Sequence, residues 1–116
     1  AAKLTEALKT VVRPGGTANK AAMDYFSVAG KTGTAQKAGR GGYIPGKYYS
    51  SFVGFFPAER PALCIYVGLD EPTGDYYGGL TAAPVFRAVA ERTASYMGIK
   101  PDLLVPDSVV SRGGGR

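Results

Sequence analysis

Four consecutive residues, Lys31-Thr32-Gly33-Thr34, place a cation, two hydroxyls and a residue without a side chain next to one another. In an extended strand successive side chains point to opposite faces, so Thr32 and Thr34 share one face and Lys31 takes the other. Glycine inside a strand weakens it and usually marks a place where a ligand or another backbone approaches closely. The spacing therefore predicts that a substrate lies along the strand edge beside Thr32 and Thr34.

Composition excludes several kinds of chemistry. The chain of 116 residues fits one domain. It has no histidine and a single cysteine, Cys64, which leaves no Ser-His-Asp triad, no internal disulfide and no plausible zinc site. The net charge of +5 favours anionic partners, carboxylates as much as nucleic acid. No apolar run reaches the ~20 residues of a membrane span, so we expect any anchor to lie outside these residues.

The first elements are predicted in chain order. A helix ends before Arg13, and its apolar stripe is Leu4, Leu8, Val11 and Val12. A loop over residues 17–24 leads to the strand that carries the Lys-Thr-Gly-Thr run, predicted from Tyr25 to Gln36. The Gly-rich basic segment from Lys37, followed by Tyr43-Ile44-Pro45-Gly46, predicts a long and mobile loop.

Two further strands, Tyr48 to Phe56 and Ala62 to Asp70, carry apolar residues on both faces and are expected to be buried on both sides. With the first strand they form a three-stranded antiparallel meander. The loop from Glu71 to Gly79 precedes a helix with Pro84 in its first turn and Gly98 at its end. The predicted buried stripe of this helix is Val85, Phe86, Val89, Thr93, Tyr96 and Met97.

The predicted fold class is α+β, with helices flanking the meander. Two helices cannot cover a sheet that is apolar on both faces. The sequence therefore indicates the C-terminal part of a larger domain, spanning residues 1–101, with an extended tail over 102–116 that is expected to be disordered.

A family resemblance rests on several motifs in order. The run from Val28 to Gln36 resembles the Lys-Thr-Gly strand of penicillin-binding proteins. The neighbouring landmarks are Gly15-Gly16-Thr17, Ser51-Phe52-x-Gly54-x-x-Pro57, Glu71-Pro72 and Tyr77-Gly78-Gly79-x-x-Ala82-Ala83-Pro84. They resemble successive landmarks of the transpeptidase domain of the monofunctional, class B type, and the resemblance implies the β-lactamase/transpeptidase-like fold.

Two motifs of that family are absent. No serine is followed by lysine three residues later, and no Ser-x-Asn occurs. Thr17-Ala18-Asn19 lies too close to Lys31 to be the separate motif, and we interpret it as a loop coincidence. The resemblance therefore implies one wall of a transpeptidase site, with the nucleophilic serine upstream of Ala1 and none in this chain.

The resemblance implies a role for each residue of the strand. Lys31 holds the hydrogen-bond network of the other motifs and attracts the substrate carboxylate, and the Thr32 and Thr34 hydroxyls bind that carboxylate. The Thr34 N–H is one of two oxyanion-hole donors, while Gly33 keeps the substrate's path clear. The alternatives without a functional role are a solvated side chain for Lys31 and ordinary strand-forming residues for Thr32 and Thr34.

For the parent protein, the resemblance implies cross-linking of peptidoglycan stem peptides that end in D-alanyl-D-alanine, outside the cytoplasmic membrane. β-Lactams acylate the same serine, and neither a metal nor an organic cofactor takes part. The remainder of the parent domain is then the third partner, and no nucleic acid is expected.

Two alternatives stay open at this stage. A β-lactamase or D,D-carboxypeptidase of the same fold shares the Lys-Thr-Gly strand. A non-enzymatic module that binds nucleic acid or protein through its basic segments needs no upstream motif. The strand aromatics favour core packing over base stacking, and Tyr43, Tyr48, Tyr76 and Tyr77 are left unassigned.

Overall fold

The computed structural model describes residues 2–74 and 76–103. In chain order its elements are α1 (Ala2–Thr10), a single 3-10 turn (Asn19–Ala21), β1 (Ala29–Gly39), β2 (Gly42–Phe56), β3 (Leu63–Asp70) and α2 (Gly78–Met97). The three strands form one antiparallel sheet in the order β1-β2-β3. The predicted α+β meander is confirmed, and β1 and β3 are the two edges of the sheet in the described residues.

The two faces of the sheet differ in what covers them. Directly paired residues of antiparallel strands share a face, and Thr32 pairs with Phe52 while Lys31 pairs with Val53. Phe52 is fully buried under α2, where its ring lies 4.9 Å from that of Phe86. Thr32 therefore lies on the α2 face of the sheet and Lys31 on the opposite face, as the alternation predicts.

The buried stripe of α2 differs from the predicted one. Its large buried side chain is Phe86, and the others on that stripe are Ala82, Ala83, Ala90 and Ala94. Val85, Val89 and Met97 are exposed, and Tyr96 is 91% exposed. The prediction is confirmed for Phe86 and was wrong for the two valines, Tyr96 and Met97, because it weighted residue size. Small alanines let the helix come close to a sheet whose Phe52 and Phe56 rings already fill the space between the layers.

The predicted burial of β2 and β3 on both sides is incomplete within this chain, as expected where only two helices are available to cover the sheet. The β3 residues that face α2 are half-buried, namely Leu63, Ile65, Val67 and Leu69, whereas Cys64 and Tyr66 on the other face are exposed. Val53 on β2 is 38% exposed on that same face. Ala29 of β1 lies on this side and is fully buried, so the side away from α2 is covered in part near the start of β1 and is open to water at Val53, Cys64 and Tyr66.

The predicted long loop after Gln36 is instead the end of a β-hairpin. β1 begins at Ala29, later than predicted, and runs to Gly39, and β2 starts at Gly42. A register shift after Gln36 places residues 44–47 of β2 opposite Lys37. The loop prediction was wrong because glycine-rich sequence was taken as irregular, whereas these glycines close a tight turn, with Gly41 and Gly42 at positive φ.

Of the two predicted ends of α2, the C-terminal one is confirmed and the N-terminal one is displaced. Gly98 adopts the left-handed conformation, with φ of 68°, and its N–H bonds to the Ala94 and Ser95 carbonyls, so the predicted C-terminal end is confirmed. At the other end α2 starts at Gly78 rather than after the glycine pair. Pro84 consequently lies in the second turn, where it cannot donate to the carbonyl of Leu80, a residue exposed to water.

Hydrogen bonds join the end of the described chain, at Asp102, to the segment before β1, at Ser27. The Asp102 carboxylate accepts hydrogen bonds from the Ser27 N–H, at 2.7 Å, and from the Ser27 hydroxyl. Ser27 in turn accepts from the Ala58 N–H. These bonds hold the start of β1 against the chain that follows β2. A disordered tail was predicted over residues 102–116, but Asp102 is held by these bonds, and residues 104–116 lie outside the described residues.

Candidate active site

The N-terminus of α2 lies directly on the Lys-Thr-Gly-Thr strand. The Gly78 N–H donates to Thr34 Oγ1 at 3.0 Å. A Cβ added at Gly78 would lie 2.3 Å from the Ser51 carbonyl oxygen and 2.9 Å from that of Gly33. The helix thus begins in contact with strand backbone, at a distance that only glycine permits.

A third threonine closes the space between β1 and α2. Thr17, from the loop after α1, places its Oγ1 3.4 Å from Thr32 Oγ1. Its carbonyl oxygen lies so close to α2 that a Cβ at Gly79 would be 1.7 Å away. The resulting cavity, here called the threonine pocket, has a volume of about 300 Å³ and is lined by Thr17, Thr32, Thr34, Tyr77, Gly78, Gly79 and Leu80.

Lys31 lies on the other face of the same strand edge. Its Nζ donates to the Thr32 carbonyl oxygen at 2.9 Å. Within the described residues Lys31 forms no ion pair with a carboxylate, while other cations such as Lys37 do. An exposed ammonium group without a carboxylate partner, at the edge of the strand that carries both threonines, makes this edge attractive to an anion.

Gly33 is constrained by its own sheet. A Cβ at this position would meet Ser51 Oγ at 2.7 Å, on the face away from α2. The predicted role of Gly33, to keep a substrate's path clear, remains a prediction. The structure adds a nearer obstacle, because any side chain at Gly33 must first displace the Ser51 hydroxyl.

The sequence reasoning missed the part of the pocket that comes from α2 and from the loop after α1. Thr17 was taken only as a landmark, and Tyr77-Gly78-Gly79 was assigned to a loop. Adjacent glycines before an alanine-rich run can mark a helix that starts against another backbone, and this signal would have found them. The proximity of Thr17 has no local signal, because it depends on how the loop folds back.

Three of the unassigned tyrosines form a stack that leads to the pocket. The Tyr48 and Tyr76 rings are 3.9 Å apart and nearly parallel, and Tyr77 follows with its ring centre 4.6 Å from that of Tyr76. The fully buried Ser50 donates to the Tyr76 carbonyl oxygen. The neighbouring Tyr76 side chain raises the pKa of Tyr77 above its ordinary value, chiefly through side-chain hydrogen bonding.

An ion-pair cluster ties the hairpin to the loop that carries these tyrosines. Lys37 Nζ lies 2.6 Å from Asp70 Oδ1 and 2.8 Å from Glu71 Oε2. The hydrogen bond to Asp70, and then that to Glu71, raises the pKa of Lys37. The same ammonium group lowers the pKa of Glu71. The charge of Lys37 at the base of the hairpin is therefore neutralised by carboxylates of the same chain, whereas that of Lys31 has no such partner in the described residues.

Metal-binding clusters and membrane-spanning helices are both absent from the described residues. Over residues 2–74 and 76–103 no group of three or more His, Cys, Asp or Glu side chains is placed to hold a metal ion. Within the same ranges no helix is long and apolar enough to cross a membrane.

Comparison with known proteins identifies the family and the fold of this chain. Residues 1–91 match the family model of the penicillin binding protein transpeptidase domain. Because the match spans most of the chain, the chain belongs to this family. The resemblance to the class B type seen in the sequence is confirmed, and with it the β-lactamase/transpeptidase-like fold.

Relatives and solved structures agree with this assignment. The chain is 41% identical, over 102 residues, to the probable peptidoglycan D,D-transpeptidase PenA of Neisseria flavescens, covering 87% of this chain and 26% of that protein. The apo transpeptidase domain of penicillin-binding protein 3 from Burkholderia pseudomallei superposes with a TM-score of 0.77 at 39% identity, covering 86% of this chain and 30% of that one.

A second similar structure contains a drug. Penicillin-binding protein 3 from Mycobacterium tuberculosis, complexed with ampicillin, gives a TM-score of 0.73 at 28% identity, covering 90% of this chain and 25% of that one. The chain spans about a quarter of the length of these matched proteins. It therefore corresponds to one portion of a transpeptidase domain.

Proposed function

We propose that this chain supplies one wall of the substrate cleft of a peptidoglycan D,D-transpeptidase, and that the threonine pocket binds the terminal carboxylate of a D-alanyl-D-alanine stem peptide. The observation that carries the proposal is the bond from the Gly78 N–H to Thr34 Oγ1. Because the oxygen of Thr34 already accepts a hydrogen bond, its own proton is available to a carboxylate. Hydrogen bonds to charged groups contribute about 1.5–3 kcal/mol.

The main chain of Thr34 has a second role in this proposal. In an antiparallel ladder the N–H and C=O groups of alternate residues face the same side. The Thr32 carbonyl accepts from Lys31 Nζ, which favours an outward-facing backbone at Thr32 and at Thr34. The Thr34 N–H then becomes one donor of an oxyanion hole, and a donor of this kind is worth about 3–4 kcal/mol of transition-state stabilisation.

The nucleophile is proposed to lie upstream of Ala1, since the 116 residues contain no Ser-x-x-Lys. Its serine attacks the penultimate D-alanine carbonyl and releases the terminal D-alanine. The acyl group then passes to an amine of a neighbouring stem, with no metal or organic cofactor. Lys31 holds the hydrogen-bond network around the serine and attracts the carboxylate. The site lies on the extracytoplasmic side of the membrane, held there by an anchor elsewhere in the parent protein.

β-Lactams are the second proposed ligand class, because they carry a carboxylate in place of the one on the stem peptide. The ampicillin in the similar structure supports this assignment. The carboxylate of a penicillin would occupy the threonine pocket, and its opened ring carbonyl would face the Thr34 N–H.

The proposal is tested by mass spectrometry after incubation with a labelled penicillin. The complete transpeptidase domain that includes these residues is expected to gain one long-lived acyl group on a serine upstream of Ala1, and the isolated 116 residues to gain none. An adduct on the isolated chain would refute the assignment of the nucleophile. Rapid turnover of penicillin by the complete domain would instead indicate a β-lactamase.

A further inference from the structure

The Gly15-Gly16-Thr17 motif has a structural purpose that the proposed function does not use. Gly15 has φ of +87°, a conformation that favours glycine, and it turns the chain back after α1. At Gly16 a Cβ would lie 2.3 Å from the Val11 carbonyl oxygen. The two glycines therefore allow a turn too tight for other residues, and the residue that this turn delivers to the pocket is Thr17.

The position of Thr17 is fixed from two sides. The Ala18 N–H bonds to the Val11 carbonyl at 2.9 Å, which holds the turn against the end of α1. On the other side the Thr17 carbonyl packs against Gly79 at the start of α2. The Thr17 hydroxyl is thus held 3.4 Å from that of Thr32, although the two residues are on different elements.

The hydroxyl oxygens of the two strand threonines, Thr32 and Thr34, each have a neighbouring group that can donate a hydrogen bond to them. Thr34 Oγ1 accepts a hydrogen bond from the Gly78 N–H, which leaves its proton free. Thr17 can do the same for Thr32, because a hydroxyl both donates and accepts. When Thr17 donates to Thr32 Oγ1, the Thr32 proton is turned toward the pocket. Both strand hydroxyls then present donors to the same cavity.

We propose that Thr17 is a positioning residue for carboxylate recognition, and that it acts by donating its hydroxyl proton to Thr32 Oγ1. The inference rests on the proposed function of the threonine pocket and extends it to a residue outside the Lys-Thr-Gly strand. Thr17 sets the direction of the Thr32 hydroxyl, so its removal weakens binding of a carboxylate while leaving the serine chemistry in place.

The test measures acylation of the complete domain by a penicillin and by the methyl ester of the same penicillin. Thr17→Val removes the hydroxyl with little change of shape, and Thr17→Ser retains it. We expect the valine variant to lose about 3- to 10-fold in the acylation rate constant for the free acid, the range of one hydrogen bond. Its rate with the ester should stay within about twofold of wild type, and the serine variant should restore the rate with the acid.

A double-mutant cycle shows whether Thr17 acts through Thr32. In a Thr32→Val background, Thr17→Val should have no further effect on the acid. Thr93→Val is the matched control, since it removes a hydroxyl that bonds to the Val89 carbonyl within α2, away from the pocket. This control should leave both rates unchanged.

The outcomes separate this inference from the proposed function. If the wild-type domain is not acylated, or reacts with acid and ester equally well, the proposed function itself fails. If the wild type prefers the acid and Thr17→Val reacts like it, the role of Thr17 is refuted. A valine variant that is equally slow with both compounds would show a structural role only and would overturn the proposal as well.

Discussion

In the proposed site, Thr34 combines two functions that mutation can separate. Its hydroxyl is fixed by the Gly78 N–H, and its own N–H belongs to the main chain of β1, so a change of side chain removes only the hydroxyl. Thr32 lies next to it on the α2 face, where Thr17 reaches it. Recognition of the carboxylate and stabilisation of the oxyanion are therefore expected to depend on different atoms of one residue.

Replacing Thr34 by valine should raise KM more than it lowers kcat. The variant loses a donor to the substrate carboxylate, worth about 1.5–3 kcal/mol, and keeps the backbone N–H. Thr34→Ser, which retains the hydroxyl, is the matched control and should stay near wild type. Steady-state kinetics of the complete domain on a stem-peptide substrate check this expectation. A large fall in kcat at unchanged KM would show that the hydroxyl acts in the chemical step instead.

The residues of the pocket were predictable from sequence only where they lie on one strand. Side-chain alternation suffices to place Thr32 and Thr34 on a shared face and Lys31 on the other. Thr17 and Gly78 come from different elements, and their approach depends on the turn after α1 and on the first residue of α2. The glycine pair at the start of α2 is a local sign that Gly78 meets another backbone, whereas no local pattern places Thr17 beside Thr32.

At the scale of elements, α2 shows how a helix can bury small residues against large ones. Phe86 lies between Phe52 and Phe56, with ring centres 4.9 and 6.3 Å away. The flanking alanines make the contact close, while the valines of the same helix face outward. The stripe predicted from the sequence failed because apolar periodicity alone fits both sides of this helix.

Two substitutions in α2 separate the observed stripe from the predicted one. Phe86→Ala should lower the free energy of unfolding by about 3–5 kcal/mol, because it leaves a cavity between the rings. Val89→Ala, at an exposed position, should change it by less than about 0.5 kcal/mol. Urea unfolding of the complete domain measures both. Equal losses at the two sites would mean that the outer face of α2 is also buried in that domain.

The hairpin beyond Gln36 is expected to open more easily than the rest of the sheet. β3 pairs with β2 only from Tyr49 to Phe56, so residues 37–47 belong to a two-stranded ribbon with a register shift. Two-stranded ribbons are only marginally stable in water. We expect faster amide exchange over Lys37 to Lys47 than over Leu63 to Leu69. Equal protection of the two segments would show that the Lys37 ion pairs with Asp70 and Glu71 hold the hairpin firmly.

At the scale of the whole molecule, the described chain presents a side of the sheet that is only partly covered and an unpaired β3 edge. Tyr49, Val53 and Tyr66 are exposed on the side away from α2. Each large side chain left in water forfeits about 1.5–3 kcal/mol of burial, and two or three such positions amount to much of a domain's stability of about 5–15 kcal/mol. The isolated chain is therefore expected to have a low free energy of unfolding.

The isolated 116 residues should accordingly be marginally stable or associated, through this face or through the β3 edge. Sedimentation velocity over a range of concentrations and the binding of a dye for apolar surface measure these properties. Joining the chain to the rest of the transpeptidase domain should abolish both association and dye binding. A monomer at high concentration that unfolds cooperatively and binds no dye would show that two helices are enough to cover the sheet and keep the chain stable.

The most direct test of the proposed cleft wall is a crystal structure of the complete domain acylated by a penicillin. The penicillin carboxylate should lie within about 2.7–3.2 Å of the Thr32 and Thr34 hydroxyls, inside the threonine pocket, and the acyl carbonyl oxygen should accept from the Thr34 N–H. A carboxylate bound elsewhere, with the Thr34 N–H facing away from the acyl oxygen, would contradict the role proposed for this chain.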